Sequence, residues 1–185
     1  MQSLNEAAGS RKQRRAATRS GGHIVLVGLM GVGKTTVGRL LAASLRCPLS
    51  DSDGEIEARE GATVRQLQDR IGGAALHALE ATILLDALEQ PAPTVICAAA
   101  STVEDERCRT ALHGPAVTVV WLQATLATLV ARYDADPHRP RYPEGTRAAL
   151  AAQLASRAVQ FASVATVTIA VDALTAEQIL RRLRC

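Results

Sequence analysis

Aromatic side chains are nearly missing from this sequence: one Trp, one Phe and two Tyr among 185 residues. So few rings cannot form a platform for stacking bases, and a nucleic acid is not expected as the main partner. Cysteine is sparse too. Cys47, Cys97, Cys108 and Cys185 form no C-x-x-C pair and stand at no ligand spacing with histidine, which argues against a disulfide framework and a metal-thiolate centre. Reduced thiols in a cytoplasmic protein are the expectation. No apolar run approaches the roughly 18 to 20 residues that would span a bilayer. Nor does a hydrophobic segment follow the basic start of the chain, as a secretion signal requires. A soluble protein with no membrane partner is therefore expected.

A hydrophobic fraction of 48% can supply a core for one compact domain. The net charge is +3, and much of it is local. Arg11, Lys12, Arg14, Arg15 and Arg19, against Glu6 alone, stand in the first 22 residues. With Gly, Ser and Ala around them and no helical apolar face, residues 1–22 read as a disordered basic leader. Residues 23–185 read as a single domain.

Within that domain, short β-branched runs alternate with longer helical patterns. His23–Val27, Thr94–Cys97, Val117–Leu122 and Val164–Val171 are expected strands, and Pro48–Ser50 is a weaker one. Their continuous apolar character indicates cover on both faces, as in a parallel sheet. Helical spacing predicts helices over Lys34–Leu45, Gly73–Leu88, Val103–Leu112, Thr125–Tyr133, Thr146–Gln160 and Thr175–Leu183. The fold class that follows is a three-layer α/β domain. Residues 134–146, with three prolines and exposed charge, interrupt the alternation and read as a mobile lid.

The stretch GLMGVGKT, Gly28 to Thr35, satisfies G-x-x-x-x-G-K-S/T and stands directly after a strand and before a helix. Its glycines allow consecutive backbone N–H groups to turn around a phosphate chain, and the helix start adds its positive dipole end. Gly28, Gly31, Val32, Gly33 and Thr36 supply that cradle, with Lys34 on the phosphates and the Thr35 hydroxyl on Mg²⁺. ATP and Mg²⁺ are thus the expected cofactors. Asp51-Ser52-Asp53 follows the second strand. Carboxylates two residues apart at a strand end face one crevice, where one can order Mg²⁺ and the other accept a proton from an attacking hydroxyl. A helix N-cap is the competing use of the same residues.

With these residues in place, the chain from His23 onward resembles the shikimate kinase family of small P-loop kinases. The resemblance runs through GLMGVGKTTVGRLLA, DSDGEIE, the turn Gly61–Val64, LHALE, VVWL, Arg139-Pro140 and SRAVQFASVA. It implies a five-stranded parallel sheet, MgATP as phosphoryl donor and a small-molecule hydroxyl as acceptor. It also implies a chain that acts as a monomer. By position, Asp51 would assist Mg²⁺, Asp53 would serve as base, and Arg132 would lie against adenine. Arg139 would be the lid arginine on the transferring phosphate, and Arg157 would meet an acceptor carboxylate.

Departures from the family pattern gather on the acceptor side. His77 stands where the family carries an arginine that grips the carboxylate of shikimate. Ala98, Ala99 and Ala100 replace a Gly-Gly-Gly that lines the acceptor pocket. The family's R-x-P-x-Y is here Arg157-Ala-Val159-Gln-Phe161. Histidine does not copy arginine's planar fork, and loss of a charge-assisted pair costs about 1.5 to 3 kcal/mol. Added Cβ atoms fill space that glycine leaves for close approach. The sequence therefore predicts an ATP-dependent kinase with altered acceptor recognition. A nucleotide-binding pseudoenzyme is the alternative, which retention of Asp53 and Arg139 argues against.

Overall fold

The computed structural model describes residues 21–91, 93–135 and 142–184. Five strands form one parallel sheet: β1 (His23–Val27), β2 (Leu49–Asp51), β3 (Val95–Cys97), β4 (Val117–Gln123) and β5 (Val167–Ala170). Their spatial order is β2-β3-β1-β4-β5. Parallel neighbours need crossovers, and helices supply them on both faces. Every residue of β1 is buried, as expected of the central strand, whereas β2 and β5, with one partner each, are only partly covered.

The helices are α1 (Lys34–Leu45), α2 (Ser52–Glu60), α3 (Val64–Ile71), α4 (Gly73–Glu89), α5 (Glu106–Leu112), α6 (Leu126–Asp134), α7 (Thr146–Val164) and α8 (Ala176–Arg184). The main core joins both sides of the sheet, with Leu26, Leu41, Leu122, Leu150 and Phe161 among its fully buried side chains. Phe161 stacks on Trp121 at 5.7 Å between ring centroids and so fastens α7 to β4. A second, smaller core of Ile56, Leu67, Leu76 and Ile83 ties α2, α3 and α4 together. Among the described residues, no helix is long and apolar enough to cross a membrane.

Several local expectations shift. The strand expected at Pro48–Ser50 lies one residue later, at Leu49–Asp51. The helix expected over Val103–Leu112 is divided, because a 3-10 turn (Ala100–Glu104) comes first and Asp105 then starts α5. The Asp105 carboxylate accepts bonds from the N–H groups of Arg107 and Cys108, a cap that fixes the new helix start. α7 runs on to Val164 because buried Phe161 holds its last turn, which shortens β5 to four residues. α2 meets only the N-cap alternative at Asp51, and α3 has no counterpart among the expected helices. Residues 1–20 of the leader, residues 136–141 of the lid segment and Cys185 lie outside the described residues.

Candidate active site

β1 ends at Val27, and the chain then turns through Gly28 with φ 140°, where a Cβ would stand 2.5 Å from the Leu122 carbonyl oxygen. Only glycine fits that approach of loop to β4. At Gly33, φ 102° starts α1 with no side-chain cap, so the first N–H groups of the helix remain for a ligand. Lys34 Nζ donates to the carbonyls of Gly28 at 2.8 Å and Leu29 at 3.3 Å, which folds the ammonium back over the loop. From the last turn of α6, Arg132 Nη1 donates to Val32 O at 3.1 Å and clamps the loop from the other side.

A cavity of about 390 Å³ opens beside this loop. Gly31, Val32, Gly33, Lys34, Thr35, Thr36 and Arg132 line it, and so do Asp51, Asp53, Glu80, Ala99 and Ala100. Asp51 and Asp53 do reach one crevice, but by a different route from the one expected. Asp51 is the last residue of β2 and the N-cap position of α2, and Asp53 lies in the first turn of α2. The capping alternative is met in position only, since the Asp51 side chain makes no cap hydrogen bond. Apart from the thiol of Cys97 beside it, buried Asp51 Oδ2 has no hydrogen-bond partner. An unpartnered carboxylate oxygen and a threonine hydroxyl are hard oxygen donors of the kind Mg²⁺ takes, so these residues fit the ion. Burial, and then the adjacent Asp51 carboxylate, push the Cys97 thiol up to about 12. That sulfur is therefore a packing atom, not a nucleophile.

Glu80 belongs to this site although its role was not read from the sequence. It is 7% exposed and accepts a hydrogen bond from the Ser101 hydroxyl. Burial raises its pKa, the Ser101 bond opposes that rise, and the Asp53 carboxylate adds to it. The signal was present: Leu76, Glu80, Ile83 and Ala87 share the buried stripe of α4, and a glutamate in an apolar stripe calls for a partner.

The remaining candidates are placed as follows. Gly28 acts on the loop through its carbonyl and does not line the cavity. Ala98 continues the sheet, its N–H donating to Leu26 O at 3.1 Å, and it too is absent from the lining. Ala99 and Ala100 present methyl groups there. His77 and Arg157 stand beyond the lining, next to Glu80. Arg157 rises from α7 with its side chain 11% exposed, and its Nη2 donates to Glu104 Oε2 at 2.9 Å. Burial, and then the Arg157 charge, lower the His77 pKa, while Glu104 pulls it back up. Arg139 lies outside the described residues. Glu104 was not anticipated, because only the 3-10 turn, packed between α4 and α7, brings it to Arg157.

A model of the shikimate kinase family matches residues 30–184. A shikimate kinase from Thermobifida fusca is 37% identical over 154 residues, which is 83% of this chain and 88% of that protein. One from Mesorhizobium japonicum is 41% identical over 117 residues, 63% of this chain. The chain spans 57% of that relative's length. Among solved structures, a shikimate kinase from Acinetobacter baumannii in complex with shikimate superposes with a TM-score of 0.81 at 29% identity, covering 92% of this chain and 94% of that one.

Proposed function

This chain belongs to the shikimate kinase family, and from that membership we propose that it transfers the γ-phosphate of MgATP to a hydroxyl group of a small-molecule acceptor. The observation that carries this reading is one cavity lined both by the loop residues Gly31 to Thr36 and by the carboxylates of Asp51 and Asp53. Phosphoryl transfer depends on positioning and charge neutralisation more than on covalent chemistry. The open N–H groups at the start of α1 and Lys34 hold the phosphates, and Arg132 lies where it can cover the base. Thr35 and Asp51 would hold Mg²⁺, which supplies charge neutralisation when bound. Asp53 accepts the proton of the attacking hydroxyl. Arg139, by resemblance, covers the transferring group from the lid.

The acceptor differs from shikimate in this reading. His77, its pKa lowered, is neutral at physiological pH and supplies neither charge nor fork for a carboxylate. Ala99 and Ala100, in the cavity wall, carry methyl groups where the family's glycines carry none. A neutral polyol suits those walls better than a cyclohexene carboxylate.

ADP release measured with shikimate and with a panel of neutral polyols tests the proposal. Turnover on a polyol with weak or absent turnover on shikimate is expected. Efficient, saturable phosphorylation of shikimate overturns the altered-acceptor reading. Thermal protection by MgATP with no transfer to any acceptor would instead identify a nucleotide-binding pseudoenzyme.

A further inference from the structure

Arg157 is an arginine whose charge already has a counter-ion. Its side chain is 11% exposed, with Nη2 on Glu104 at 2.9 Å and Nη1 on Gln153 Oε1 at 3.4 Å. Its Nε is buried with no hydrogen-bond partner. Helix packing explains why so polar a group is inward: Leu150, Arg157, Phe161 and Val164 fall on the buried stripe of α7. A guanidinium in that setting is the natural reader of a ligand carboxylate, since its planar fork matches two oxygens and its charge is poorly screened. Here a carboxylate of the protein's own has arrived first.

Glu104 is held in place by its surroundings. It ends the 3-10 turn whose earlier residues put Ala100 in the cavity wall and the Ser101 hydroxyl on Glu80. Arg109 Nη1 donates to the carbonyls of Val103 and Glu104, both at 2.8 Å, and the Asp105 cap begins α5 immediately afterwards. The Glu104 carboxylate is thus carried to Arg157 by a pinned backbone, and little entropy is lost in forming the pair. Among the described residues, the charged groups around the guanidinium are Glu104, Glu80 and, beyond it, Asp53 and Lys34, with His77 as the other titratable neighbour.

We propose that Glu104 is a specificity-determining residue: a built-in counter-ion that occupies Arg157, behind the Glu80 wall of the cavity, and disfavours acceptors carrying a carboxylate. The proposal rests on the kinase reading above for its meaning, but its test does not. A carboxylate ligand must compete with Glu104 for the guanidinium or lie beside its charge, so it gains less from Arg157 and meets a repulsion. A hydroxylated ligand without charge leaves the pair intact.

Shikimate is the carboxylate probe, and its dissociation constant is measured by titration calorimetry with MgADP present, for wild type, E104A, E104Q and E104A/R157A. The expected result is a gain of roughly tenfold or more in E104A and E104Q, the reciprocal of losing one charge-assisted pair. That gain disappears in the double variant, and shikimate methyl ester shows none of it. Unchanged or weaker shikimate binding in both single variants overturns the proposal and makes Glu104 a support for Arg157. Two substitutions guard against one that fails to fold. If no acceptor is ever phosphorylated but the tenfold gain is seen, the kinase reading falls and the role of Glu104 stands.

Discussion

Cys97 and Gly38 form the tightest residue-scale dependence in the nucleotide half. A Cβ placed on Gly38, inside α1, would run into Cys97 Sγ and come within 3.2 Å of Leu49 Cδ1. Replacing a helical glycine by alanine ordinarily gains about 0.5 to 1 kcal/mol, but overpacking a filled site costs about 1 to 3 kcal/mol. The clash wins. Gly38→Ala is expected to lower unfolding stability by about 1 to 2 kcal/mol in urea titration, and Cys97→Ala in the same chain is expected to restore most of it. A loss that Cys97→Ala leaves untouched would show that the sulfur is not the obstacle. At this scale the sequence was legible where chemistry is local. GLMGVGKT marks the cradle by itself, and Asp51 and Asp53 announce a pair of carboxylates. Glu80, Ser101 and Glu104 act through residues distant in sequence, and pairings of that kind leave no local pattern. The clue on offer was a charge set in an apolar helical stripe, at Glu80 and again at Arg157.

Elements repeat the lesson with their ends. α3 begins with a capping box, in which Thr63 Oγ1 accepts from Gln66 N–H and Gln66 Oε1 accepts from Thr63 N–H. Thr-x-x-Gln was readable as a helix start, but the weakly apolar residues after it hid the helix. The division of the helix expected from Val103 came from Asp105, whose side chain satisfies backbone donors better than helical continuation through that position would. The bond from Arg107 holds the Asp105 carboxyl down at about 2, against an ordinary 3.8, with the N–H groups of Arg107 and Cys108 assisting. A carboxyl lowered in the folded state stabilises fully above about pH 4 and loses that contribution as pH falls toward 2. Asp105→Ala is expected to cost about 0.5 to 2 kcal/mol at pH 7, the ordinary worth of a helix cap. The deficit relative to wild type is expected to shrink as pH falls below 4, in chemical unfolding followed by circular dichroism. A deficit constant from pH 7 to pH 2 would assign the loss to something other than the charged cap.

On the scale of the whole molecule, alternation of strand and helix was enough to place a parallel α/β sheet, and the central position of β1 follows from its unbroken burial. The small core shared by α2, α3 and α4 was not legible, because Ile56 and Leu67 stand in segments of low mean hydropathy, α2 and α3. Two cores of unequal size imply unequal local stability. Leu67, fully buried in the small one, is the residue to cut. Leu67→Ala is expected to cost about 2 to 5 kcal/mol, with amide exchange in α2 and α3 accelerating while that in β1 and β4 changes far less. Uniform acceleration across the sheet would show one cooperative unit.

The outer strands of the sheet have a consequence for life in a crowded solution. Leu49–Asp51 and Val167–Ala170 each leave one flank without a neighbour, and they offer only three and four residues of backbone there. So short a margin gives an incoming extended segment too few rungs for a lasting ladder. The same brevity that ends β2 at Asp51, in the cavity wall, leaves little edge from which the folded chain could seed its own precipitation.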